Sequence, residues 1–190
     1  MSVSINTKAR PVEPMIKVLF VCLGNICRSP AAEACFRALL VRRGLADRVM
    51  VDSAATSGMQ IGRAPDPRAQ TVGRRRGLDL GHLRARQVQQ ADFHRFDHIL
   101  AMDRFNLEDL GAIVPAGAGA RLDPFLGDGA GGACRDVPDP YLEPGIEAFE
   151  RMFDQIEDGC GRLLERLRRE HPDVLAEPAG EPAAAEARAR

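Results

Sequence analysis

No stretch of the 190-residue chain approaches the roughly 18 consecutive apolar residues of a membrane-spanning helix. Met1 to Pro14 also lacks the apolar stretch of a secretory signal. An excess of one charge sign is missing too: 26 Lys and Arg against 27 Asp and Glu leave a net −1, which gives no reason to expect nucleic acid or a membrane surface as partner. The five cysteines form no staple pattern, and an odd count without one fits a reducing compartment better than a secreted protein, so the expected location is cytoplasmic. There is no internal repeat. What remains is 45% apolar residues, enough for the core of one domain.

One stretch organises the rest. Val18-Leu19-Phe20-Val21 is a β-branched and aromatic run, followed by Cys22-Leu23-Gly24-Asn25-Ile26-Cys27-Arg28-Ser29 and then Pro30, which opens a helical pattern. Strand, tight loop and helix in that order aim backbone N–H groups at one point, backed by the positive end of the helix, and so form a nest for a tetrahedral oxyanion. Arg28 adds a planar charged fork suited to two phosphate oxygens. Cys22 stands at the mouth of the nest, where the same field favours the thiolate. A thiolate beside a phosphate cradle is a nucleophile for phosphoryl transfer.

The bare spacing, Cys then five residues then Arg, is weak evidence, and the chain carries its own control. Cys160 and Arg166 share it, but no strand precedes them and their helical periodicity leaves no loop. Context makes the first copy specific. The alternative for Cys22 is a buried thiol at a strand end, a common place for free cysteine.

Around this stretch the pattern predicts a strand over 16–22, a helix to Arg43 closed by Gly44, and a strand over Arg48 to Ser53. A loop from Ala54 to Ala64 follows, then Asp66-Pro67 caps a helix ending near Gly77 with Arg74-Arg75-Arg76 at its negative end. Asp97 to Met102 reads as a third strand and Asp103 to Leu110 as a helix, with Arg104, Asn106, Glu108 and Asp109 outward. A short fourth strand at Ala120 to Leu122 precedes a Gly-rich surface loop over 127–132 and an amphipathic packing helix from Gly145 to Glu170. The fold class is therefore α/β, a three-layer sandwich whose central, mostly parallel four-stranded sheet carries a phosphate-binding loop after its first strand. Residues 1–14 are expected to be a mobile extension, 15–170 one domain, and 171–190 a disordered tail.

Phosphoryl transfer from such a thiolate to water needs an acid for the departing oxygen and a base for the water. Spacing does not choose among the many Asp residues. Val137-Pro138-Asp139-Pro140-Tyr141 stiffens one carboxylate between prolines beside an aromatic, although on the pattern alone an ordinary turn residue is the better reading of that Asp. His94 and His98 are four apart, as metal ligands on one helix face can be. Asp97-His98 starts a strand, however, which separates the rings, and no third ligand is evident, so no metal is expected.

Cys22 to Pro30 resembles the signature loop of the low-molecular-weight protein tyrosine phosphatases, and the likeness extends over about residues 16–168. The resemblance implies Cys22 as nucleophile, Arg28 as phosphate binder and Asp139, in the Asp-Pro-Tyr motif with Pro140 and Tyr141, as general acid. Residues Leu23, Gly24, Asn25, Ile26, Cys27, Arg28 and Ser29 form the phosphate loop, with Ser29 stabilising the thiolate. Ser53 helps Asn25 brace the loop. Cys27 is implied as a redox partner that traps an oxidised Cys22 as a reversible disulfide.

Three positions depart from the family pattern. Met59 stands where an aromatic usually walls the phosphotyrosine slot, Leu142 replaces a second Tyr after Asp-Pro, and Leu83 stands where bacterial relatives often carry a His, with His82 one residue earlier.

The implied activity is hydrolysis of phosphotyrosine and small aryl phosphates through a cysteinyl-phosphate intermediate. It requires no cofactor, since Arg28 and the nest supply the charge stabilisation. Partners are phosphotyrosine-containing proteins, with phosphate as product and the chain a monomer, and neither nucleic acid nor a membrane is involved. Alternatives of the same fold are a thioredoxin-coupled arsenate reductase and a protein arginine phosphatase. A catalytically weak phosphate-binding protein is the alternative outside enzyme chemistry. The first needs a cysteine relay after the third strand, where Ile99 to Val137 holds only Cys134. Arginine phosphatases carry Thr where this chain has Ile26.

Overall fold

A computed structural model describes residues 15–127 and 135–175. A four-stranded sheet runs in the order β2-β1-β3-β4 with every pairing parallel: β1 Ile16–Cys22, β2 Val49–Ala55, β3 His98–Ala101 and β4 Arg121–Pro124. The expectation of a mostly parallel sheet is met in full. β1 is central and buried on both faces, which is why it reads as a continuous apolar run. Val18, Phe20 and Cys22 face the larger core cluster with α1 (Arg28–Arg42) and α2 (Pro67–Arg75), while Leu19 and Val21 face a smaller one. The smaller cluster takes in Phe93 of α3 (Asp92–Arg95) and Leu110 of α4 (Arg104–Gly111). β4 is an edge strand and carries Arg121 and Asp123, charges that discourage edge pairing.

The 24-residue helix α5 (Glu147–Glu170) lies along the larger cluster, contributing Phe149, Met152, Phe153, Ile156, Leu163, Leu164 and Leu167, the residues whose helical spacing is visible in the sequence. Phe20 meets Phe36 and Phe125 edge-on, with centroids 5.8 and 5.3 Å apart. Among the described residues no helix is long and apolar enough to cross a membrane.

Several expectations need correction. α1 starts at Arg28, so Pro30 sits inside the first turn and does not open it. β2 continues to Ala55, and the four-residue α3 has too few residues to leave a periodic signal. Asn106 is buried and does not point outward, because its backbone N–H and side chain turn toward the capping Asp103. The segment expected to be a disordered tail begins with α6 (Pro172–Leu175), whose Leu175 is buried against the core, so apolar packing extends past Glu170. The 1–14 extension, the residues after 175 and most of the Gly-rich stretch lie outside the described residues.

Candidate active site

The loop between β1 and α1 opens at the C-terminal edge of the sheet, where parallel α/β folds bind ligands. Cys22 is the last residue of β1. Its Sγ lies 3.0 Å from Ser29 Oγ and accepts from Asn25 N–H at 3.2 Å. That second contact requires a sharp reversal, and Asn25 supplies it with φ 53°, the one non-glycine residue in the left-handed region among the described residues.

A buried network holds Asn25 there. Its Nδ2 donates to Ser29 Oγ and to Ser53 Oγ, both at 2.9 Å, and its Oδ1 accepts from Arg86 N–H at 3.0 Å. Ser53 in turn donates to Glu33 Oε2 at 2.7 Å. Burial raises the Glu33 pKa, with its bonds to Ser53 and Arg37 working the other way. Ser53 thus stands where the sequence reading puts it, and Glu33 and Arg86 are members that reading missed.

Arg28 is 2% exposed. Its Nη1 donates to Asp103 Oδ2 at 2.5 Å and to the Val137 carbonyl at 3.1 Å, and its Nη2 donates to Asp139 Oδ2 at 2.8 Å. Burial opposes its charge, but Cys22, Asp139 and Asp103 more than offset this and raise its pKa. Arg28 Nε is buried and has no hydrogen-bond partner among the described residues, while Asp103, Val137 and Asp139 engage three of the five guanidinium N–H groups.

In the sequence Asp103 shows only as the start of a helix. It caps α4 by accepting from Asn106 N–H at 2.7 Å and also fixes Arg28. Its position just past β3, at the same sheet edge as Cys22, was the available signal.

Asp139 is held at the cleft by Arg28 and by Tyr141 N–H, which donates to its Oδ1 at 3.1 Å. Val137 N–H donates to the Met102 carbonyl at 2.8 Å and pins the stretch to the end of β3. From the other side Arg68 donates to the carbonyls of Tyr141 and Glu143 at 3.2 and 3.0 Å, while its guanidinium stands 4.5 Å over Phe149.

Cys22, Leu23, Gly24, Ile26, Cys27, Arg28, Met59, Gln60, Asp139 and Tyr141 line one cleft. The loop therefore brings its residues together with Met59, Asp139 and Tyr141. Pro140 is buried and is not among the lining residues, and Leu142 is 91% exposed. Burial pushes the Cys27 thiol far up, and the Cys22 charge adds to that. His82 is exposed beside Asp79, away from the lining.

The profile of the family described as Low molecular weight phosphotyrosine protein phosphatase matches residues 17–173. The chain belongs to this family. It is 55% identical over 151 residues to the human low molecular weight phosphotyrosine protein phosphatase, covering 78% of this chain and 94% of the human one. The crystal structure of YfkJ from Bacillus subtilis superimposes with a TM-score of 0.74 at 40% identity, over 82% of this chain and 96% of that one. That of the Drosophila arginine phosphatase gives 0.71 at 34% identity, over 80% and 98%. Proteins of this family are hydrolases acting on phosphomonoesters, and so is this chain.

Proposed function

We propose that the protein hydrolyses phosphotyrosine in proteins, and small aryl phosphates, through a thiophosphate on Cys22, acting as a monomer in the cytoplasm. The observation that carries this reading is the bridging of Arg28, 2.8 Å from Asp139, beside a Cys22 sulfur that already accepts from Asn25 N–H and contacts Ser29. In the first step the Cys22 thiolate attacks phosphorus in line, forming the S–P bond as the P–O bond to the ring breaks. Arg28 and the loop N–H groups hold the equatorial oxygens, and Asp139 gives its proton to the departing oxygen. A bound phosphoryl group competes for Arg28 Nη2, which releases Asp139 toward the leaving group. Water then attacks phosphorus, its proton passes to Asp139, and the S–P bond breaks to return the thiolate, which Ser29 Oγ stabilises as leaving group.

Cys27 is the redox partner in this reading. When a peroxide oxidises Cys22 to the sulfenic acid, the Cys27 thiol condenses with it and water leaves. The burial that raises the Cys27 pKa makes this step slow near neutral pH.

Turnover of p-nitrophenyl phosphate at mildly acidic pH tests the mechanism, comparing wild type, Cys22→Ser and Asp139→Ala. Loss in Cys22→Ser with a fall of about 10²–10⁴-fold in Asp139→Ala is expected. Unchanged turnover in Cys22→Ser overturns it. Phosphoarginine assayed in parallel separates the substrate classes, and Ile26 in the cleft favours the tyrosine ester.

A further inference from the structure

At the end of the sheet remote from Cys22, His98 is the first residue of β3 and is buried. The partner weighed for it in the sequence, His94, lies on α3 and is exposed. Instead His98 Nε2 lies 3.0 Å from Nε2 of His171, the residue that follows α5, with the two rings nearly perpendicular at 88°. Glu170 brings Oε2 to 4.0 Å of His98 Nε2, while its Oε1 is anchored by Arg121 Nη1 at 2.9 Å. These three residues are the one group of three or more ligand-type side chains converging within 4.8 Å among the described residues.

Two imidazole nitrogens this close share one proton, one donating and one accepting. A cation in place of that proton makes both of them ligands. Around a tetrahedral zinc ion, bonds of about 2.0–2.1 Å set two ligand nitrogens roughly 3.3 Å apart, so the pair opens by only a few tenths of an ångström. The carboxylate closes a somewhat larger gap by turning its side chain. Two nitrogens and one carboxylate suit zinc and its neighbours, whereas calcium and magnesium want an all-oxygen shell.

We propose that His98, Glu170 and His171 form a binding site for a divalent transition-metal ion, zinc foremost, with water as fourth ligand. The ion ties the end of α5 to the start of β3.

Burial lowers the His98 pKa, with His171 and Arg166 also disfavouring the charge and Glu170 and Asp97 supporting it; the net result is the neutral ligand form. Two features keep the affinity moderate. Arg121 and Arg166 stand nearby, each paired with Asp123, at 2.8 and 3.5 Å. In addition, His98 Nδ1 is buried without a hydrogen-bond partner among the described residues, so the outer bond that usually orients a ligating imidazole is missing.

The test is titration of the full-length reduced protein with Co²⁺, followed by visible absorption, and with Zn²⁺, followed by calorimetry. Cysteine thiolates also take these ions, so the same titrations are run on Cys22→Ser. Wild type and Cys22→Ser are each expected to bind one equivalent with a nitrogen–oxygen spectrum free of thiolate charge transfer. His171→Ala, at a half-exposed helix end, is expected to bind more than tenfold more weakly, since even the outer partners of metal ligands carry about 10–100-fold. Zn²⁺ is expected to raise the Tm of Cys22→Ser and leave that of Cys22→Ser/His171→Ala unmoved, while metal-free His171→Ala keeps wild-type turnover as a check on folding. Uptake that disappears with Cys22, a thiolate spectrum, or equal affinity in His171→Ala overturns the proposal.

Discussion

The chain carries the Cys-x5-Arg spacing twice, and the two copies differ in almost everything else. Cys22 and Arg28 flank a loop whose left-handed Asn25 turns an N–H onto the sulfur, and Arg28 presents its fork at the same cleft. Cys160 and Arg166 lie within α5, where six residues of helix carry them round to different sides. Cys160 packs in the larger core cluster near the Ala32 carbonyl, and burial pushes its thiol well up. Arg166 is buried with Nε and Nη2 unpartnered among the described residues and one weak contact to Asp123. Backbone conformation, not spacing, decides whether the thiol and the guanidinium meet at one cleft.

The sharpest way to break this comparison is at the sulfur. Cys22→Ser is expected to lose at least about 10⁴-fold in kcat on p-nitrophenyl phosphate, because a hydroxyl is a poor nucleophile and poor leaving group here. Cys160→Ala is expected to keep wild-type kcat and to lose about 1 kcal/mol of stability from the small cavity. Comparable kcat losses in the two variants would erase the distinction.

The arginines come next. Arg28→Lys is expected to lower kcat about 10²–10³-fold, since a single ammonium cannot hold Asp103, Asp139 and a phosphoryl oxygen together. Arg166→Met is expected to leave kcat unchanged and stability within about 1 kcal/mol, because a poorly satisfied buried charge contributes little net stability.

A smaller effect sharpens the role of the turn. Asn25→Ala removes one donor from Ser29 and from Ser53, takes away the acceptor of the Arg86 N–H and asks Ala for a left-handed conformation, at a cost of about 2–4 kcal/mol in denaturant unfolding. Its kcat is expected to fall further than its KM rises, since the loop geometry matters most in the transition state.

The smallest effect lies at the opposite edge of the sheet. The folded state depresses the His98 pKa below 6.5, so the unfolded chain binds the proton more readily. Stability from this group is therefore present above pH 6.5 and is lost as pH falls below that value toward the folded pKa. Metal-free unfolding curves for His98→Gln are expected to lack this acid-side slope. An unchanged slope would assign it elsewhere.

How much was legible follows from how local each signal is. β1, the loop and α1 could be read because their evidence lies within about twenty consecutive residues: a doubly buried apolar run, Gly24 and Asn25, then a helix. Asp66-Pro67 was equally legible, and Asp66 does cap α2 by accepting from Arg68 N–H at 2.8 Å. Asp139 could be singled out locally only as one stiffened carboxylate among many, and family resemblance was needed to choose it. Asn106 was misread because a polar residue on a short helix reads as outward unless its capping partner is known to be buried too.

By itself the sequence determined the strand–loop–helix that sets Cys22 and Arg28 at one loop, since the apolar run, Gly24, Asn25 and the helical pattern lie next to one another in the chain. Only the tertiary structure decided who meets Arg28 and His98. Asp103 reaches Arg28 across 75 residues and His171 reaches His98 across 73, through parallel pairings that bring strand ends to common edges. A charge shows in a sequence, but the charge it faces is fixed by how the strands pair and the helices pack.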